Sequence, residues 1–131
     1  MADRSISLQI LRVVPMLAVM GTIFFISHQP GDSFELPEII NLDKLLHGVA
    51  YGVLAATVLF AAPMELRTKS LSFTAALAMA VCLLYGISDE FHQSFIPGRY
   101  PSIWDIIADF LGATVVVWLW RRRMMIVQGG I

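Results

Sequence analysis

Acidic residues and histidines recur in this chain three or four residues apart, the spacing that places side chains on one face of an α-helix. Three such pairs are present: Asp43 and His47, Asp89 and His92, and Asp105 and Asp109. Carboxylates and imidazoles act as general acids and bases, bind metal ions and hold polar ligands by hydrogen bonds. The spacing therefore predicts three polar helix faces that carry the side chains such chemistry requires.

Four apolar segments must position these faces, and each is close to the roughly 20 residues that a helix needs to cross a bilayer. They are predicted at residues 8–27, 45–62, 71–88 and 103–120, joined by three short polar connections. Hydrophobic residues make up 57% of the 131 residues and charged residues only 15%, fewer than a soluble domain carries. Because spanning segments must satisfy their own backbone hydrogen bonds, and these runs do not alternate as in a β-barrel, the sequence predicts an all-α integral membrane four-helix bundle. We expect one domain, residues 1–131.

The basic residues predict the orientation of the bundle. Most of them lie at the two termini and in the connection at residues 63–70: Arg4, Arg12, Arg67, Lys69, Arg121, Arg122 and Arg123. Because positive charge is retained in the cytoplasm, both termini are predicted to be cytoplasmic (N-in/C-in), with Lys44, Arg99 and the three histidines on the outer side. The net charge of -1 gives no overall field that would attract nucleic acid.

Local signals predict where two of the helices begin. Ser102 is followed three residues later by Asp105, a pattern typical of a helix N-terminus. Asn41 or Asp43 is expected to cap the second span in the same way.

Small residues spaced by four predict close helix contacts. Gly48 and Gly52 lie in the second span, and Ala108 and Gly112 lie in the fourth. Such residues let two helices approach closely in lipid, so we expect these spans at internal interfaces.

The polar residues are expected to converge in one site at the outer end of the second, third and fourth spans. A charged side chain inside a bilayer costs at least a few kcal/mol, so such groups face the bundle interior or an aqueous cavity. For a single pair, such as Asp43 with Lys44, helix capping or an ion pair is a sufficient explanation. The predicted ligand-binding set is Asp43, Lys44, His47, Asp89, Glu90, His92, Gln93, Arg99, Asp105 and Asp109.

Two strings in this set resemble the VanZ-like family of membrane proteins. The first is Asp43-Lys44-Leu45-Leu46-His47 and the second is Asp89-Glu90-Phe91-His92-Gln93-Ser94-Phe95-Ile96-Pro97-Gly98-Arg99, followed by Asp105, Asp109 and Gly112. The resemblance covers residues 39 to 118. This chain has Asp109 where the family often has Asn. The resemblance implies a multi-pass protein of the bacterial cytoplasmic membrane, in a family whose named members are linked to low-level teicoplanin resistance.

One interpretation is a cell-envelope factor that binds a membrane lipid or a lipid-linked precursor at the outer leaflet, or a glycopeptide-related ligand. Lys44 and Arg99 would then bind a phosphate or carboxylate, and the acids would hold polar headgroup atoms. Both cations can also simply extend toward interfacial water and lipid phosphate.

Two alternatives remain open from the residues alone. In the first, the chain is a membrane-embedded hydrolase or transferase acting on a lipid-linked substrate, with Glu90, His92 and His47 as catalytic candidates. A metal ion, if present, is expected on His47, His92, Asp89 and Asp109. In the second alternative, the chain is a non-catalytic assembly partner whose polar cluster holds the bundle together.

Overall fold

The computed structural model describes residues 2–31, 33 and 40–129, with side chains from residue 9 onward. It contains α1 (Ala2–Ser27), α2 (Leu42–Ala61), α3 (Met64–Lys69), α4 (Leu71–Gln93) and α5 (Ile103–Val127), and no strand within the described residues. The side chain of Arg4, one of the residues used to predict orientation, lies outside the described part.

Four of these helices are long and apolar enough to cross a membrane: Gln9–Ser27, Leu42–Ala61, Leu71–Gln93 and Ile103–Val127. Large apolar side chains such as Phe25, Leu84 and Phe91 are exposed on their outer faces, as expected for surfaces that contact lipid. The prediction of an all-α bundle with four spanning helices is confirmed.

Helices α4 and α5 extend beyond the apolar spans, and the extension has a physical reason. The apolar span of α4 was predicted to end at residue 88, and the helix continues to Gln93, as the predicted polar face with Asp89 and His92 requires, because the polar side chains of its last turn find partners on neighbouring helices. Helix α5 continues through three arginines to Val127 instead of ending at residue 120. Polarity therefore marks where these helices leave the apolar region, while the backbone remains helical.

The connection at residues 63–70, which was predicted as a polar loop, contains a short helix, α3. Pro63 directly precedes the first turn of α3. Within the helix, Lys69 Nζ lies 2.7 Å from Oε1 of Glu65, one turn earlier. Both features favour a helical turn at this point.

Helices α2 and α5 form the closest helix pair, as the small residues predicted. A Cβ added at Gly112 would overlap the backbone carbonyl of Gly48, and one added at Gly48 would lie 3.4 Å from the carbonyl oxygen of Ala108. Below this crossing, the core of the bundle is built from Leu54, Ala78 and Ala113, each fully buried. The contact therefore depends on the absence of side chains at the crossing point.

The two predicted helix caps had different outcomes. The Ser102 side chain accepts a hydrogen bond from the Trp104 backbone N–H at 3.2 Å, which confirms the cap of α5. The predicted cap of α2 is wrong, because Asn41 has a left-handed backbone (φ 62°) and its side chain makes no capping bond, while Asp43 lies within the first turn. The α2 N-terminus begins at Leu42, three residues before the predicted start of the span.

The ends of α1 and α4 and the starts of α2 and α5 lie together, and we call this region the polar end. Two contacts join the segments that follow α1 and α4. The Gly31 N–H donates to the Pro97 carbonyl at 3.1 Å, and a Cβ at Gly31 would overlap the backbone of Gly98. Arg99 donates to the carbonyls of Ile26 (2.9 Å) and Gln29 (3.0 Å) at the end of α1.

Candidate functional site

Four carboxylates are buried at the polar end. They come from two helices, with Asp89 and Glu90 in the last turns of α4 and Asp105 and Asp109 in the first turns of α5. Each of the four residues is no more than 8% exposed. By contrast, Asp43 at the start of α2 is exposed. The polar residues that the sequence singled out on three helices therefore do lie at one end of the bundle.

The most enclosed of these acids, Asp109, pairs with His47 of α2. The His47 Nδ1 lies 3.0 Å from Asp109 Oδ1. Gly86 of α4 makes room for the carboxylate, because a Cβ there would lie 3.1 Å from Asp109 Oδ2 and 3.4 Å from the Tyr51 ring. The Asp109 Oδ2 atom and the Tyr51 hydroxyl are both buried without a hydrogen-bond partner among the described residues.

Lys44 links α2 to α5 nearer the membrane surface. Its Nζ lies 2.5 Å from Asp105 Oδ1 and 2.7 Å from the neighbouring Asp43 Oδ2. The Lys44 side chain is 29% exposed, whereas that of Asp105 is 11% exposed. The ammonium is therefore held at the rim of the site by one buried and one exposed carboxylate.

The Glu90 side chain of α4 caps the N-terminus of α5. Its Oε2 accepts the Ser102 backbone N–H at 2.7 Å, which satisfies one of the free amides at the helix N-terminus and places a negative charge at the positive end of the helix dipole. Its Oε1 is buried and has no hydrogen-bond partner in the described part of the chain. One oxygen of Glu90 thus has a structural role, while the other remains free to accept a ligand.

Helix α1 also contributes to the site, although the site was predicted on the other three spans only. The Ser27 hydroxyl donates to Asp89 Oδ2 at 2.9 Å, and the Gln93 side-chain amide donates to the same oxygen at 3.1 Å. Ser27 is 5% exposed. A lone serine at the end of an apolar segment gives no sequence signal of this role, because its partner lies 62 residues away in the chain.

His92 faces α1 and pairs with a histidine that the predicted site did not include. The His92 Nε2 lies 3.1 Å from His28 Nδ1, and the two rings stack with Phe24 alongside. The side-chain hydrogen bond of His92 within the described residues is therefore to His28, not to the His47 and Asp109 pair on the other side of the site.

Arg99 has a structural role that the sequence did not reveal. One terminal nitrogen donates to the carbonyl of Ile26 in the last turn of α1, and its Nε donates to the carbonyl of Gln29, two residues after the helix. A guanidinium also opposes the negative end of the helix dipole there. Both side-chain hydrogen bonds of Arg99 among the described residues are thus to backbone carbonyls, and Arg99 lies at the polar end with the rest of the predicted set.

The metal candidates predicted from the sequence are only partly brought together. The histidine and acids whose potential ligand atoms all lie within 4.8 Å of one another are His47, Glu90 and Asp105. Of the four predicted ligands, only His47 belongs to this group. Within the described residues, Asp89 and His92 instead form hydrogen bonds with α1.

An apolar groove runs down from the site along the contact of α2 and α5. Its volume is about 770 Å³. Asn41 and Lys44 lie at its upper end, and Gly52, Val53 and Val115 line its lower part. The groove is shallow and open, with apolar side chains along its length and the Lys44 ammonium group at one end.

Comparison with known proteins identifies the family. The family model described as VanZ/LLP1 matches residues 8–127, which include all four spanning helices and every residue of the polar end discussed above. No curated protein and no solved structure matches the chain. Because the match covers most of the chain, and the spanning helices with their buried carboxylates agree with it, the protein belongs to the VanZ/LLP1 family of membrane proteins.

Proposed function

We propose that this protein binds a membrane lipid or a lipid-linked envelope precursor at the outer leaflet of the bacterial cytoplasmic membrane. The acyl chain lies in the groove between α2 and α5, and the headgroup lies at Lys44 and Asn41. The single observation that supports this proposal best is the continuity of the apolar groove with a half-buried ammonium group at its upper end.

The groove has properties that suit an acyl chain. Its lining is almost entirely apolar, and Gly48, Gly52 and Ala56 leave a shallow channel on the surface of α2. Val53 and Val115 are about half exposed at its edges, so a chain lying there would cover apolar surface that otherwise contacts bulk lipid. Since lipid tails are as apolar as these side chains, selectivity must come from the headgroup end.

At the headgroup end, the Lys44 ammonium, which also contacts Asp43 and Asp105, is the cation that a phosphate would meet, and Asp43 supplies an exposed acceptor for hydroxyl or amide groups. The outer-leaflet location follows from the orientation expected from the basic residues. Membership of the VanZ/LLP1 family supports an envelope ligand, and we include in the proposal that the protein changes susceptibility to teicoplanin-type glycopeptides.

The proposal is tested by measuring the lipids that remain bound to the purified protein, by native mass spectrometry after extraction into mild detergent. Val53→Trp fills the groove and Lys44→Gln removes the headgroup charge, so each is expected to lower the bound lipid about tenfold, a loss of about 1.4 kcal/mol. Leu84→Trp is the matched control, because Leu84 is 67% exposed on α4 and does not line the groove.

Equal lipid retention in Val53→Trp and Leu84→Trp would contradict the proposed acyl-chain site. Retention unchanged by Lys44→Gln would contradict the proposed headgroup position. The same three variants, expressed in a deletion strain, test the susceptibility proposal: loss of teicoplanin tolerance in the first two variants but not in Leu84→Trp is the expected result.

A further inference from the structure

The polar end carries more buried negative charge than its neighbouring cations balance. Of the four buried carboxylates, Asp105 has Lys44 as a cationic partner, and Asp109 pairs with His47, which is a cation only when it is protonated. Glu90 receives a backbone N–H, and Asp89 receives a hydroxyl and an amide, with no cation at hydrogen-bond distance among the described residues. Uncompensated carboxylates at this depth are costly, so a bound cation would stabilise the site.

Three side chains of the polar end bring potential ligand atoms close together. His47, Glu90 and Asp105 each contribute a potential ligand atom, and these atoms lie within 4.8 Å of one another. Glu90 is 4% exposed, and its Oε1 has no hydrogen-bond partner in the described part of the chain. A buried acceptor left without a donor is rare, and a bound ion is one of the ordinary reasons for it.

The hydrogen bonds around these side chains resemble those that support metal ligands. Asp109 Oδ1 binds His47 Nδ1, which leaves Nε2 as the ring nitrogen able to coordinate an ion. A histidine bound to metal commonly donates its other ring N–H to a carboxylate in this way. The Ser102 N–H fixes Glu90 through Oε2 and leaves Oε1 unengaged. Two of the three side chains are thus oriented by partners that do not use the atom available for coordination.

We infer that His47, Glu90 and Asp105 form a binding site for a divalent transition-metal ion, with Asp109 as the residue that positions His47. One imidazole nitrogen and two carboxylate oxygens suit zinc or manganese, whereas Mg²⁺ and Ca²⁺ prefer oxygen ligands alone. The ion supplies the positive charge that Glu90 lacks. None of its three ligands lines the groove, although Asp105 also contacts Lys44 at the upper end of the groove.

The test uses the full chain in lipid nanodiscs, stripped with chelator and titrated separately with Zn²⁺ and Mn²⁺ by isothermal calorimetry, with element analysis of the washed protein. We expect one ion per chain. Glu90→Gln keeps an acceptor for the Ser102 N–H but removes the charged ligand, and should weaken binding about 100-fold or more, because even outer partners of metal ligands contribute about 10–100-fold. Asp109→Asn should weaken binding by about 10–100-fold through His47.

Glu65→Gln is the matched control, because it makes the same substitution at an exposed acid of α3 at the opposite end of the bundle. Its affinity should equal that of the unmodified chain. Absence of saturable binding to the unmodified chain would overturn the inference, as would equal affinities in Glu90→Gln and Glu65→Gln. Either result would leave the lipid proposal intact, because that proposal is measured by lipid retention in Val53→Trp and Lys44→Gln.

Discussion

Asp109 shows how one residue at the polar end depends on its surroundings. It is 2% exposed, its Oδ1 contacts His47, and its Oδ2 lies in the space that Gly86 leaves open. An amide has the same shape as this carboxylate and keeps an oxygen that can accept from His47. The pair therefore allows the effect of hydrogen bonding to be separated from the effect of charge.

Asp109→Asn is expected to change the free energy of unfolding by no more than about 1 kcal/mol, since a neutral hydrogen bond to His47 is retained. Asp109→Leu should cost about 1–3 kcal/mol more, because the His47 ring loses its partner. The measurement is reversible unfolding in detergent with chelator present, so that bound metal does not contribute. If the two variants are equally destabilised, the negative charge, and not the hydrogen bond, holds this pair together.

At this scale, the sequence predicted side chains that follow helical spacing and missed those that depend on distant contacts. A separation of four residues places Asp43 and His47 on one face of α2, and it places Asp105 and Asp109 on one face of α5. Ser27 and His28 lie at the end of α1, and their partners Asp89 and His92 are on α4. No periodicity within α1 marks them, because the contact is created only when the helices pack.

At the scale of helices, the crossing of α2 and α5 positions the site. Gly112 meets the backbone of Gly48, and His47 and Lys44 lie on the turn of α2 next to this contact. A change of even a methyl group at the crossing must separate the helices, because the atom it meets belongs to the backbone. The distances of the two ion pairs to α5 therefore depend on this contact.

Gly112→Ala is expected to destabilise the bundle by about 1–3 kcal/mol, the usual cost of inserting a group into a close-packed contact. Gly21→Ala is its control, because a Cβ at Gly21 of α1 meets nothing within 4 Å, and there the stability should be unchanged or slightly higher. Both are measured as free energies of unfolding in the same detergent. A Gly112→Ala protein as stable as Gly21→Ala would show that the helices do not require this close approach.

Helix positions were predicted more reliably than helix ends. Hydrophobicity located four segments because lipid imposes a length and an apolar composition on each. The apolar run ends at residue 88, but helix α4 continues to Gln93, since Asp89 and Glu90 are polar and find partners within the bundle. The residue type predicted a cap at Asn41 or Asp43, but Asn41 has a left-handed backbone and its side chain makes no capping hydrogen bond. The ends are decided by tertiary contacts that composition does not record.

At the scale of the whole molecule, charge is divided between the two ends of the bundle. The buried acids, Lys44 and Arg99 lie at the polar end, while α3 and the last turns of α5 carry Arg67, Lys69 and Arg121 at the other. This division is what predicts a cytoplasmic location for both termini.

Cysteine labelling tests this orientation. Cys82 is buried, and replacing it by serine gives a background for single cysteines at the exposed residues Ser94 and Thr68. Ser94→Cys, at the polar end, should react with a membrane-impermeant maleimide in intact cells. Thr68→Cys, in α3, should react only after the cells are permeabilised. The reverse pattern would invert the orientation and place the proposed headgroup position in the inner leaflet.

The backbone contact between Gly31 and Pro97 has a mechanical consequence. This hydrogen bond joins the segment after α1 to the segment after α4, and the hydrogen bonds of Arg99 join the same two regions a few residues away. The ends of α1 and α4 must then travel as a unit, carrying Ser27 and Asp89 with them. Any separation of that unit from the α2–α5 pair would have to break the hydrogen bond that the Ser102 N–H donates to Glu90, so this single contact would resist opening of the bundle at the polar end.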